Sequence, residues 1–184
     1  FGQSLEVAMT HPMNDGFEVP CLVHSAIDAI LANGLQTEGI FRISGNAARI
    51  KQLQETFDKG TTVNLVQEPE IHNVAGLLKR YLRELPEPLI PFHVFPNMIT
   101  VASDDTPPDI KQALIQALLC ELSPLSFAVL DRVIRLMGEI AQHEATNKMG
   151  STNLAIVLGP NIMYSENETP LTAVSNATAV NAIV

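Results

Sequence analysis

Ile71-His72-Asn73-Val74-Ala75-Gly76-Leu77-Leu78-Lys79-Arg80-Tyr81-Leu82-Arg83-Glu84-Leu85, closed by Pro86-Glu87-Pro88, is the stretch on which the reading of the fold turns. Val74, Leu77, Leu78, Tyr81 and Leu82 recur at helical spacing, and the prolines cannot continue a helix. At 100° per residue, Lys79 and Arg83 fall nearly opposite the apolar stripe, four positions apart on one exposed face. A solvated polar face is the ordinary meaning of such charges. Two features tilt against it. The positions four before and four after Lys79 hold Ala75 and Arg83, so no acid is placed to pair with it. The small Gly76 lies beside them and would let a partner come close.

The neighbouring segments follow the same period. Pro20 opens a helix with Val23, Ile27, Ile30 and Leu31 facing inward, ended by Asn33-Gly34. A second starts near Ser44 or Asn46, turns Ile50, Leu53 and Phe57 inward, and stops at Gly60. Pro107-Pro108 opens a helix with Ile110, Leu114, Leu118 and Leu122. Ser123-Pro124 starts another with Phe127, Leu130, Val133, Ile134, Met137 and Ile140. A short piece from Asn153 to Leu158 ends at Gly159-Pro160, and one more helix begins in the tail from Leu171 to Val184. Thr100–Pro108 and Tyr164–Pro170 read as mobile loops. Nowhere do apolar and polar residues alternate between hairpin turns, so the chain reads as an all-α domain.

Composition sets the outer limits. A chain of 184 residues, 46% hydrophobic, is one domain with a sizeable core. No apolar run approaches the roughly 18 residues of a transmembrane segment. Cys21 and Cys120 sit in apolar helical patterns and read as buried thiols. The chain begins at Phe1 without a methionine and ends inside an apolar stretch at Val184. The expectation is a domain spanning residues 1–184, excised from a longer protein, with its last helix cut short. A cytoplasmic place of action is expected, with recruitment to membranes left to parts outside this chain.

The net charge of −9 argues against nucleic acid, whose phosphates need a basic field. Its distribution is more telling. Residues 1–41 carry five acids and no Lys or Arg, and residues 84–184 carry eleven acids against four bases. Between them, residues 42–83 hold seven bases against four acids. An acidic partner surface or a phosphate group suits that segment.

Arg42 opens it, inside Gly39-Ile40-Phe41-Arg42-Ile43-Ser44-Gly45. Ile40, Phe41 and Ile43 read as anchors beneath neighbouring helices, which would pin the backbone around one outward guanidinium. Such a group stays charged and offers a planar fork of donors suited to phosphate oxygens.

In order, the motifs Thr37-Glu38-Gly39-Ile40-Phe41-Arg42-Ile43-Ser44-Gly45, Val74 to Leu89, Asn147-Lys148-Met149 and Asn153-Leu154-Ala155-Ile156-Val157-Leu158-Gly159-Pro160-Asn161 resemble the RhoGAP domain, the GTPase-activating domain of Rho-family regulators. The resemblance covers nearly the whole chain and implies a helical bundle. It implies that Arg42 is an arginine finger supplied to a partner's GTP hydrolysis. Lys79 and Arg83 match bases of the partner-binding helix, with Lys79 also supporting the finger. Asn153 matches an asparagine that contacts the GTPase, and Pro160, in a Gly-Pro-Asn turn, shapes the adjoining groove wall. The implied partner is a Rho-family small GTPase in its GTP-bound state. GTP and magnesium would belong to that partner, and the domain would need no cofactor of its own. The alternative is a module that docks the GTPase without activating it.

The sequence departs from the family pattern at Pro124, Ser126, Met137-Gly138 and Leu158, all read as packing variations. Other chemistries find no support. The Gly39–Gly45 loop lacks the Gly-Lys-Ser/Thr ending of a phosphate-cradling loop. The five histidines show no metal-ligand spacing, and Cys21 with His24 is too little for zinc. No nucleophile and base are set out for hydrolysis.

Overall fold

The computed structural model describes residues 1–167, 169, 172 and 176–180. Among the described residues every regular element is helical: α1 (Leu5–Met9), α2 (Cys21–Asn33), α3 (Ala47–Asp58), α4 (Ile71–Arg83), α5 (Phe95–Ser103), α6 (Pro108–Leu119), α7 (Pro124–Ala141), α8 (Glu144–Asn147) and α9 (Ser151–Ile162). Short 3-10 turns lie at Pro12–Asn14 and Leu65–Gln67. The all-α expectation holds.

The stretch that promised the clearest helix forms the centre. α4 packs on α2, α3 and α9, and α7 closes the far side against α2 and α9. Val74, Leu77, Leu78, Tyr81 and Leu82 are all buried. The Glu70 side chain accepts the His72 N–H at the start of α4, and Arg80 and Arg83 stand in its last turn, where cations suit the helix dipole. Asn46 caps α3 by accepting the Arg49 N–H at 3.0 Å, which settles the start between Ser44 and Asn46. Ser123 caps α7 through the Ser126 N–H at 3.0 Å and donates its own hydroxyl to Ser126 Oγ at 3.0 Å, so the Ser126 side chain joins the cap.

Several expectations fail. Leu31, Ile110, Leu114, Phe127 and Ile134, read as core, are exposed. A helical stripe shows which face is apolar, not whether another element is present to cover it, and α6 lies mainly along α5. Cys120 is also exposed: it caps the end of α6 beyond the covered face. Thr100–Ser103 is helix rather than loop, because Phe95 and Met98 of α5 are buried one turn apart. Finally, α9 does not stop at Gly159-Pro160 but runs through both to Ile162. Proline forfeits one helical bond there, while Leu158, Gly159 and Ile162 remain buried, and the Asn161 amide donates to the Val157 carbonyl at 2.9 Å. In the tail, residues 176–180 are helical. Pro170, Leu171 and the chain end of the expected last helix lie outside the described residues.

Candidate functional site

The loop between α2 and α3 is built by two left-handed residues. Gly39 has φ +66°, which glycine adopts readily, and Phe41 has φ +67°, which an aromatic residue rarely does. Ile40 and Phe41 are buried, and that burial offsets the conformation of Phe41. The N–H groups of Arg42 and Ile43 both donate to the Gly39 carbonyl at 2.8 Å, closing a tight turn. Arg42 is thrown outward. Among the described residues its guanidinium has no hydrogen bond and no ion pair.

Three contacts from distant sequence hold this loop. At its first end, the Gly39 N–H donates to the carbonyl of Asn147 at 2.8 Å. In the middle, Lys79 Nζ donates to the Phe41 carbonyl at 2.5 Å. At its far end, the Asn46 N–H donates to Asn73 Oδ1 at 2.7 Å. Gly45 permits this last approach: a Cβ there would stand 2.7 Å from the His72 carbonyl oxygen and 2.6 Å from Asn73 Oδ1. Asn73 Nδ2 in turn donates to Glu68 at 2.9 Å, and Glu68 receives the Arg49 guanidinium at 2.8 Å. The hydrogen bond from Arg49 holds the Glu68 carboxyl below the usual carboxylate range, although burial works the other way.

The basic segment is therefore largely spoken for. Arg49 is paired with Glu68, Arg80 with Glu84 at 2.7 Å and Lys51 with Glu55 at 3.8 Å. Lys79 is half-buried against the loop, and burial lowers its ammonium pKa. Arg83, one turn further along α4, is exposed and has no acidic partner among the described residues.

Two readings need correction. Ile43 is not an anchor: it is 50% exposed, because the turn at Gly39 sends it to the solvent side together with Arg42. Gly76 leaves no notch for a partner, since Ile50 of α3 fills it, with its Cδ1 only 2.6 Å from where a Cβ would be.

Asn153 is half-buried on α9, and its amide donates to the Lys148 carbonyl at 3.1 Å. Lys148, left-handed at φ +61°, lines a notch with Glu38, Gly39, Arg42 and Ile43. Asn153 is thus tied to the Arg42 loop through one residue. Pro160 is exposed two turns along α9, inside the helix rather than in a turn. Ile156, 50% exposed, stands between them, so the outward side of α9 carries Asn153, Ile156 and Pro160. The structure brings Arg42, Lys79 and Asn153 to one locality. Arg83 makes no hydrogen bond to the loop.

The sequence model of the RhoGAP domain matches residues 20–167. The chain belongs to the RhoGAP family. Among similar proteins, Rho GTPase-activating protein gacY of Dictyostelium discoideum is 38% identical over 184 residues, covering all of this chain and 25% of that protein. Human Rho GTPase-activating protein 24 is 35% identical over 188 residues, again covering the whole chain and 25% of the relative. The chain spans about a quarter of the length of these curated relatives. The crystal structure of human Rho GTPase activating protein 15 superposes with a TM-score of 0.89 at 27% identity, covering all of this chain and 87% of that one.

In this RhoGAP domain, sequence reasoning assigns no task to Asn147, Asn73 or the exposed Ile156, and reads Ile43 as an anchor. Asn73 left a signal: it stands in register with Leu77 and Tyr81, where an apolar residue is expected. Asn147 left none beyond its place in a quoted motif, because its partners are backbone groups far away in sequence.

Proposed function

We propose that this RhoGAP domain accelerates GTP hydrolysis on a Rho-family small GTPase in its GTP-bound state, with Arg42 as a finger supplied in trans. The observation that carries this reading is an exposed, unpaired guanidinium on a loop tied down at both ends and in the middle.

The partner holds GTP and magnesium and places the attacking water. Negative charge in the transition state spreads over oxygens around the β–γ bridge. A guanidinium inserted there interacts more strongly with the transition state than with the ground state, the condition for a faster reaction. A finger of this kind is typically worth roughly 10³–10⁵ in rate, or about 4–7 kcal/mol. Because the loop is already ordered, little conformational entropy is lost when Arg42 enters the partner's site.

Lys79 fixes the carbonyl next to Arg42. Asn153, Ile156, Pro160 and Arg83 offer a mixed polar and apolar surface for the partner's mobile segments. On this reading the domain supplies one catalytic side chain and a clamp and has no independent active site. Its place of action is the cytoplasm, where such GTPases signal.

Single-turnover GTP hydrolysis against a panel of Rho, Rac and related GTPases tests it. Wild type should accelerate at least one member, and Arg42→Ala should remove most of that acceleration while still binding the GTP-loaded partner. If no GTPase responds although one binds, the domain is a docking module. If Arg42→Ala matches wild type, the finger is another residue.

A further inference from the structure

Two of the few buried polar side chains stand at the two ends of the Arg42 loop. Asn147 is fully buried, with an exposure of 0%, and all its polar groups are used. Its Nδ2 donates to the carbonyls of Leu35 and Ile140 at 2.7 Å each. Its Oδ1 accepts the Met149 N–H at 2.7 Å, and its own carbonyl accepts the Gly39 N–H. Its side chain thus ties the end of α2 and the end of α7 to the start of α9, and the backbone fixed in this way holds the first residue of the turn through the Asn147 carbonyl. Asn73, also buried, links the last residue of the loop to Glu68.

We propose that Asn147 and Asn73 are positioning residues for Arg42, which set the guanidinium before a partner arrives. Neither touches the reacting atoms. Burying an amide is costly unless every donor and acceptor is met, and a fully met amide fixes direction as an apolar contact cannot. The turn of the loop depends on a left-handed Phe41, so a shift at either end re-aims Arg42 directly. A misplacement of about 1 Å in a catalytic group can lower a rate by about a hundredfold.

The inference rests on the reading of Arg42 as a finger, and the experiment separates the two. Asn147→Ser and Asn73→Ala are made singly and in an Arg42→Ala background. Each is measured for single-turnover hydrolysis at saturating domain, and for affinity to the GTPase loaded with a non-hydrolysable GTP analogue. The expected result is a saturating rate lowered roughly tenfold to a hundredfold, with affinity within about threefold of wild type. In the Arg42→Ala background the same substitutions should change the residual rate by less than about twofold, because the residue they position is gone. An unchanged rate, an equal fractional loss without Arg42, or a loss that follows affinity would each overturn the proposal. If thermal melting shows that Asn147→Ser does not fold, Asn73→Ala alone decides. An inactive wild type sinks the finger reading as well, whereas active wild type with unaffected asparagine variants sinks only this inference.

Discussion

The Lys79 ammonium donates to the carbonyl of Phe41, the residue whose left-handed backbone sends the chain into Arg42. The base on α4 therefore acts inward, on the loop, and not only as an outward charge. Lys79→Ala should lower saturating GTP hydrolysis by about tenfold, the scale of one charge-assisted hydrogen bond. Because the site is half-open to water, the melting temperature should move by no more than about 4 °C. A melting loss several times larger would make Lys79 chiefly a structural residue.

Replacing Arg42 by lysine keeps the charge and removes the planar fork. Arg42→Lys is expected to remain far below wild type, within about tenfold of Arg42→Ala in single-turnover hydrolysis, since a point charge cannot span two oxygens at once. Recovery close to wild type would mean that charge alone suffices.

The Glu68–Arg49 pair predicts an acid limb in stability. Glu68 has a lowered pKa in the folded chain, chiefly through its hydrogen bond from Arg49. Its contribution is therefore present above the unfolded carboxylate value of about 4.3 and lost as pH falls below it through the folded value. Thermal melts of wild type and Glu68→Gln should differ most near neutral pH and converge towards about pH 3. A constant gap across that range would exclude Glu68 titration as the cause.

Gly45 makes the site's tightest approach to a neighbouring backbone. Gly45→Ala pushes a methyl group against the His72 backbone, which cannot swing away as a side chain can. A loss of about 1–3 kcal/mol in denaturant unfolding is expected, together with a slower hydrolysis step. Gly76→Ala should be milder, because the atom in its way is the tip of Ile50. Equal costs at the two positions would contradict this account of the loop.

Periodicity made α4, α3 and α7 legible, because their stripes meet one another in the core. It cannot show that, among the described residues, no element covers the outer sides of α6 and α7, so it reads Ile110, Leu114 and Phe127 as buried. α5 is hard to read because only Phe95 and Met98 of its nine residues are buried, with Ile99 partly so. Gly159-Pro160 suggested a stop where α9 continues, since burial of Ile162 outweighs one lost bond. Within the site, Arg42 and Lys79 were visible as charges in apolar surroundings. Their supports were not, because Asn147 and Asn73 work through backbone atoms that composition does not mark.

α6 buries none of its residues fully. Its amide hydrogens should accordingly exchange with solvent well before those of α2 and α4, through local opening rather than global unfolding. The residues assigned to GTPase engagement all come from α4, α9 and the α2–α3 loop, so α6 can open without disturbing them, while Phe95 and Met98 hold α5 in the core. Exchange should in that sense be graded: slow in the helices that carry the loop, and faster in an outer helix that can breathe at little cost to the reaction.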